Sequence, residues 1–383
     1  MIITSYFPPE IGAASNRIFH LAKGLQKLDY NISVVTPLPN YPTGEIFEAY
    51  RGKFIRKTLE EKISVYRLWI FASNSKNKIH RFLAMISYSL SLFWFFIFNK
   101  IPKTVIVQSP PLLVAFSCMF FLKNKKRKLI LNVSDLWPSA GLELGFLKEG
   151  LSYKLLQRIE KFNYKSANLV LGQSQEILNH VASIDREKDT FLYRNFPDFQ
   201  PPEIKPQENK NSKIKLVYAG LLGVAQGILK LCEELDYSNI EFHIYGSGAE
   251  EKHIMNFIES QDNLPVIFHG QIDRDRLHKE LMDYDVAIIP LLNRIYGSVP
   301  SKIFEYARLG LPVIYFGGGE GENLVQKHSL GWTIKVGDYN KLNDLIQELD
   351  ENLFNSDFRQ SIREKALKSF DFNSQILELK SKL

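Results

Sequence analysis

Lys302 and Glu305 stand three positions apart behind the turn Tyr296-Gly297-Ser298-Val299-Pro300-Ser301. On a helix that spacing puts both on one face. A cation and a carboxylate then meet whatever ligand reaches the helix start. The ammonium suits a phosphate; the carboxylate suits the vicinal hydroxyls of a ribose. Three further turns in this half are rich in glycine. Gly220-Leu-Leu-Gly223-Val-Ala-Gln226-Gly227 follows LVYAG, Gly246-Ser247-Gly248 follows FHIYG, and Gly317-Gly318-Gly319-Glu320-Gly321-Glu322 follows the apolar run ending at Phe316. Glycines let backbone N–H groups approach an anion, and a helix that starts behind them directs further N–H groups towards it. Four such turns describe a nucleotide-diphosphate site better than any one alone. The chain has no Gly-Lys-Ser/Thr P-loop and no GxGxxG, which disfavours an ATPase and a dinucleotide dehydrogenase. Two D-x-D pairs, Asp273-Arg274-Asp275 and Asp283-Tyr284-Asp285, lack a supporting histidine or third carboxylate. They read as a helix start and a turn, and no metal site is expected.

These turns need a scaffold, and the pattern around them supplies one. Short β-branched runs alternate with helical periodicity through both halves. The expected strands are Ile2–Phe7, Ile32–Thr36, Val65–Trp69, Thr104–Gln108, Lys128–Val133, Leu169–Gly172 and Thr190–Tyr193, then Lys215–Gly220, Glu241–Gly246, Val266–Gly270, Val286–Pro290, Pro312–Phe316 and Thr333–Val336. Between the first two, Ala14, Ile18, Leu21, Leu25 and Leu28 share one helix face. Apolar strands alternating with helices imply parallel sheets covered on both faces. Ligands of such sheets bind at the carboxyl ends of the strands, where the glycine turns fall. At 383 residues, two domains are expected. The Pro-rich polar stretch from Asn195 to Lys215 is the natural linker. The fold expected is α/β, two Rossmann-like domains facing a cleft: residues 1–200, with a terminal helix of about 367–383 packing back on it, and residues 201–366.

Charge is divided unevenly between the halves. Residues 1–200 hold 27 Lys+Arg against 15 Asp+Glu, a net +12, and the remainder 21 against 27, a net −6. A basic half attracts phosphates, whether in nucleic acid, a substrate or a membrane surface. No nucleic-acid module accompanies it, so that partner is not expected. Phe82–Phe98 is 17 residues without a charge, and Leu112–Leu122 runs into Lys123, Lys125, Lys126, Arg127 and Lys128. Both are short for a span; core helices, or a peripheral contact with an anionic membrane, fit them. Two cysteines 114 positions apart exclude a disulfide framework and a cysteine zinc site. With no secretory leader pattern at Met1, a cytoplasmic protein is expected.

Four segments carry a likeness to a known family: SYFPPEIGAASNR at the start, NVSDLWP at Asn132–Pro138, VYAGLLGVAQGI at Val217–Ile228 and VPSKIFEYARLGLPVI at Val299–Ile314. Together, over about residues 4 to 370, they resemble family 4 glycosyltransferases of the GT-B fold. The resemblance is nearest to bacterial enzymes that build O-antigen, capsule or colanic-acid units, including N-acetyl-L-fucosamine transferases. It implies a retaining, metal-free transfer from a nucleotide-diphosphate sugar to a lipid-linked acceptor such as an undecaprenyl-diphosphate saccharide, on the inner face of the plasma membrane. By position, Glu305 holds the ribose, while Ser301, Lys302, Gly220, Gly223, Gly246, Gly248 and the loop with Gly319, Glu320 and Glu322 surround the diphosphate and sugar. Gly12 closes over the phosphates. Catalytic roles fall to Asp135, Lys302 and Glu305, with Asp135 binding the acceptor hydroxyl or steadying the positive sugar.

The chain departs from the family pattern at three places. Gly297 stands where the first of two glutamates belongs, Gln226 where a lysine is frequent, and Ser134 where a histidine often precedes the aspartate. Glu320 and Glu322 are the nearest replacements for the missing carboxylate. A nucleotide-sugar epimerase of the same fold and a non-catalytic nucleotide-sugar-binding subunit are the competing readings.

Overall fold

The computed structural model describes residues 1–10, 12–73, 75, 78–204 and 213–383. Part of the expected linker, 205–212, lies outside them. The chain forms two compact units. The first comprises Met1–Asn195, Ile295–Ser298 and Asn373–Leu383, and the second Phe196–Arg294 and Val299–Phe372.

The first unit is built on an eight-stranded sheet: β1 (Ile2–Ile3), β2 (Ser33–Pro37), β3 (Ile55–Glu60), β4 (Ile63–Leu68), β5 (Thr104–Ser109), β6 (Lys128–Val133), β7 (Leu169–Gly172) and β8 (Thr190–Leu192). Their order is β3-β4-β2-β1-β5-β6-β7-β8. All neighbours are parallel except β3, which pairs antiparallel with β4. β5 and β6 are apolar and buried through Val105–Val107 and Leu129–Leu131 because both faces are covered. Two expectations fail here. The first strand stops at Ile3 rather than Phe7, because the Thr4 hydroxyl bonds both the N–H and the carbonyl of Tyr6 and turns the chain out of the ladder. Strand β3 was not expected at all. Its residues IRKTLE are all at least partly exposed, as suits an edge, and the run lacks the apolar signal of a buried strand.

The second unit has six parallel strands, β9 (Ile214–Ala219), β10 (Ile240–Tyr245), β11 (Val266–Gly270), β12 (Val286–Pro290), β13 (Val313–Phe316) and β14 (Gly331–Ile334), in the order β11-β10-β9-β12-β13-β14. Alternate residues feed two cores. Val217, Ala287, Ile289 and Val313 join one. Leu216, Ile288, Ile314 and Phe316 join the other. The two-residue period of a strand thus explains why the motifs must lie in the turns, since the strands have no free face.

The apolar segments of the first half are surface helices with one buried side. In Lys78–Phe98, Tyr88, Leu92 and Phe95 reach the core, while Leu90, Trp94, Ile97 and Phe98 are exposed. The helix Leu112–Leu122 packs beside it and exposes Phe120 and Phe121. Among the described residues, no helix is long and apolar enough to cross a membrane. Cys118 and Cys232 are both buried free thiols.

Candidate functional site

The helix Lys302–Leu309 carries the most specific pair, and Tyr306 fixes its position. The Tyr306 hydroxyl accepts from the Ala219 N–H at 3.3 Å and donates to the Ala219 carbonyl at 3.1 Å. One turn earlier on the same face, Lys302 therefore lies at the end of β9. Its ammonium is 5.0 Å from the centre of the Tyr218 ring. A Cβ on Gly220 would fall 1.8 Å from Lys302 Nζ, so this glycine leaves the space the ammonium occupies. Burial lowers the Lys302 pKa to about 8, partly offset by the nearby charge of Glu305.

Glycine is needed at the neighbouring turns for a different reason. A Cβ on Gly246, whose φ is +137°, would lie 1.8 Å from the Gly220 carbonyl oxygen, and one on Gly248 2.4 Å from that of Leu222. These contacts are to backbone, which cannot rotate away, so the two turns touch only because neither residue has a side chain. Gly223 lies within the first turn, accepting the Gln226 N–H at 3.0 Å. The loop after β12 is tied to the same turn through Leu292 N–H to Ala225 O, 2.9 Å. At the end of β13, Gly319 precedes the helix Glu320–Lys327 with φ +76°, and the Arg294 guanidinium occupies the place of its missing Cβ. Glu320 is buried in the first helical turn, and Glu322 is half-buried beside Gly318. Ser301 sits at the cap position of Lys302–Leu309.

Glu305 is placed by partners that sequence spacing did not indicate. Its Oε1 accepts from His278 Nε2 at 2.7 Å and from Arg274 Nε and Nη2 at 3.2 and 3.1 Å. Both come from the helix Arg274–Glu280, one turn apart, and His278 is stacked on Phe199 with ring centres 4.0 Å apart. Burial pushes the Glu305 carboxyl up, but the His278 bond and the charges of Arg274, His278 and Lys302 outweigh it and hold the pKa at about 2. Oε1 is thus consumed by the protein, and none of these bonds uses Oε2. The spacing of Arg274 and His278 in a segment read only for its D-x-D was the signal available. Asp273 caps that helix by accepting from Asp275 N–H, and Asp285 accepts from Lys215 N–H.

In the first unit, Gly12 is the residue before the helix Ala13–Lys27 and has the Tyr41 ring 3.9 Å from its absent Cβ. Glu10 is buried, and its Oε1 accepts from the N–H groups of Asn40 and Tyr41 at 2.8 and 2.9 Å. Asp135 follows the end of β6. Burial raises its pKa and the charge of Arg17 lowers it. Gly297, which belongs to this unit, has φ +84°. Its N–H donates to Glu176 Oε2 at 2.9 Å and its carbonyl accepts from Ser174 Oγ at 2.7 Å. A Cβ there would press on Ile177 and Leu136 at 3.0 and 3.1 Å. The left-handed backbone and this crowding explain why the position carries no glutamate.

Residues 213–352 match the sequence profile of Glycosyl transferases group 1. No curated protein matches the chain in sequence. Solved structures do match in fold. A sucrose-phosphate synthase from Thermosynechococcus elongatus superposes with TM-score 0.76 and 15% identity, covering 100% of this chain and 97% of that one. WaaG, a glycosyltransferase involved in lipopolysaccharide biosynthesis, gives TM-score 0.65 at 12% identity over 100% and 98%. HepE of Anabaena, in complex with UDP-glucose, gives 0.67 at 14% over 100% of both chains. The fold is the two-domain GT-B fold.

Proposed function

For a chain of GT-B fold whose residues 213–352 form a group 1 glycosyltransferase domain, we propose a retaining transfer of a sugar from a nucleotide-diphosphate donor to a lipid-linked saccharide. The observation that carries this reading is the cluster at the strand ends of the second unit: an ammonium over Gly220, two turns in backbone contact and a carboxylate held ionised. Glu305 Oε2 receives ribose hydroxyls. The Gly220–Gly223 and Gly246–Gly248 turns bring N–H groups to the diphosphate, and Lys302 neutralises charge that grows there as the glycosidic bond breaks. Fixed donors of this kind act without reorganising, so the cations and amides of the chain serve where a metal would. Asp273 and Asp285 are occupied by backbone N–H groups. Asp135 serves the acceptor hydroxyl or the oxocarbenium-like sugar. The donor we favour carries an N-acetyl amino sugar such as N-acetyl-L-fucosamine, and the route is O-antigen or capsule assembly. Incubation with a panel of nucleotide sugars and bacterial membranes tests this: release of nucleoside diphosphate that requires membrane lipid supports it. Conversion of the donor to an epimer without release overturns it in favour of an epimerase.

Lys302 gives the reading a pH signature. An ammonium with a pKa of about 8 is mostly charged at pH 7 and loses its proton as pH rises through 8. A diphosphate prefers the charged form, so UDP affinity measured by calorimetry is expected to fall by up to about tenfold per pH unit above 8. In Lys302→Met the affinity at pH 7 is lower and this alkaline fall is absent. An unchanged alkaline slope in that variant removes Lys302 from the phosphate site.

The acceptor's lipid requires a membrane surface, and the first unit has one of suitable composition. Trp94 and Phe98 stack, and Phe93 and Phe121 lie with ring centres 4.9 Å apart, beside exposed Ile97 and Phe120. The basic rim differs from the run in the sequence. Arg127 donates to the carbonyls of Leu122 and Pro102, and Lys123 bonds Ser166 and lies near the Phe162 ring. Arg127 thus ties the end of the helix Leu112–Leu122 to the 99–103 loop, while Lys123 stays exposed beside Ser166. The same bonds bring the 99–103 loop alongside, with Lys128 N–H donating to Lys103 O at 2.7 Å, so exposed Lys100 and Lys103 join exposed Lys125 and Lys126. At about 1 kcal/mol each on an anionic surface, the four contribute on the order of 4 kcal/mol before screening. Converting all four to glutamate is expected to abolish co-sedimentation with anionic vesicles at low salt and leave UDP affinity unchanged. Wild-type protein that ignores anionic vesicles at low salt would falsify the membrane reading.

A further inference from the structure

The first unit contains a buried arginine that none of the roles above employs. Arg17, on the helix Ala13–Lys27, is 3% exposed. Its Nη2 donates to Asn132 Oδ1 at 2.9 Å and to the Tyr193 carbonyl at 2.8 Å, and its guanidinium carbon is 4.7 Å from the centre of the Tyr193 ring. Among the described residues, Nε and Nη1 have no hydrogen-bond partner. Burying a cation with two unused nitrogens is costly and calls for a compensating interaction. Burial lowers its pKa to about 10, so it remains charged at neutral pH.

The bonds that leave Arg17 run in one direction. Asn132 accepts on its oxygen and donates through Nδ2 to Gln108 Oε1 at 2.8 Å. Gln108 in turn donates through Nε2 to Ser134 Oγ, and Gln173 Nε2 donates to the Ser134 carbonyl. Asn132 and Gln108 are buried, on adjacent strands β6 and β5. Each amide accepts from the charged side and donates onward, so the guanidinium polarises every link and the chain strengthens as a unit. It ends at the residue before Asp135. The titratable groups facing Arg17 are Asp135 and Tyr193, whose phenol burial keeps protonated. Among the described residues, Arg17 is the charged group that acts on Asp135. Among the described residues the two form no direct ion pair.

We propose that Arg17 is a positioning residue for the transfer: through Asn132 and Gln108 it fixes the Ser134–Asp135 turn, and it supplies the positive charge that faces the Asp135 carboxylate. This rests on the reading that Asp135 serves the reaction. Its sequence context, SNR behind a glycine turn, gave no hint, because the partners lie 115 and 176 positions away.

Protein labelled with carboxyl-13C aspartate tests it, the Asp135 signal being the one lost in Asp135→Asn. In Arg17→Gln its titration midpoint is expected to rise by about one pH unit, since burial then acts unopposed. Arg17→Lys keeps the charge and returns the midpoint close to wild type. Gln108→Leu breaks the chain but not the charge. It should leave the midpoint near wild type and lower release of UDP from the best UDP-sugar by about tenfold, with UDP affinity unchanged. An unmoved midpoint in Arg17→Gln, or full turnover in Gln108→Leu, overturns the proposal. If Arg17→Gln does not fold, Arg17→Lys and Gln108→Leu decide it: a midpoint displaced by the lysine, or full turnover in the leucine variant, overturns it. Full turnover in Asp135→Asn instead sinks the reading of Asp135, while the titration still reports whether Arg17 is its charge partner.

Discussion

Glu305→Ala is expected to lose UDP affinity by about a hundredfold and stability by about 3 kcal/mol. The second effect reverses what its place on a helix would suggest, since surface substitutions ordinarily cost little. Glu305 is instead the shared acceptor of Arg274 and His278, and its removal leaves a buried histidine and an exposed guanidinium without their carboxylate. The depression of its pKa from 4.5 to about 2 corresponds to roughly 3 kcal/mol. The sign follows from the direction: a carboxyl held low when folded stabilises the protein above its unfolded pKa, and that stability drains away as pH falls from about 4.5 towards 2. Urea unfolding at pH 7 and pH 3 is the measurement. The difference between wild type and Glu305→Ala should shrink at pH 3. Glu305→Gln keeps an acceptor for His278 but not the charge, so it should recover part of the stability and little of the affinity. Wild-type UDP affinity in both variants would remove Glu305 from the site.

Asp135→Asn is expected to lower turnover by at least about a hundredfold with UDP affinity unchanged within about twofold, the signature of a group that acts on the acceptor or the transition state. Asparagine keeps the shape, so loss of the carboxylate is the variable, and thermal unfolding should change little. A shift in UDP affinity with normal turnover would place Asp135 with the donor. Because burial raises this carboxyl and Arg17 lowers it, loss of activity as pH falls through the Asp135 pKa should accompany the wild type and vanish in the asparagine variant.

How much of this was legible depended on whether a signal was local. Strands such as Lys128–Val133 and Val286–Pro290 were found at their observed limits, because a strand covered on both faces carries a continuous apolar stretch, here Leu129–Leu131 and Val286–Ile289. Ile55–Glu60 was not, since an edge strand has no such requirement. The helix Leu112–Leu122 was readable from hydrophobicity, but not which of its phenylalanines meet solvent. The basic run at Lys123–Lys128 was obvious in the sequence. That Arg127 bonds the Leu122 and Pro102 carbonyls while Lys123, Lys125 and Lys126 stay exposed depends on where the fold places the Pro102 carbonyl.

By itself the sequence determined the two α/β units, the glycine turns at strand ends and the placing of Lys302 and Glu305 at a helix start and of Asp135 just past a strand end, because each follows from periodicity or backbone sterics over a few residues. The tertiary structure alone decided with whom those residues pair. Lys302, three positions before Glu305, acts on it only through space, while the bonds come from Arg274 and His278 on another helix. Asp135 faces an arginine more than a hundred residues earlier. Gly297, the apparent gap in the family pattern, is a glycine because its backbone is left-handed and crowded by Ile177 and Leu136. Hydrogen bonds and charges act over a few ångströms of space, and the separation of two residues along a chain does not set that distance.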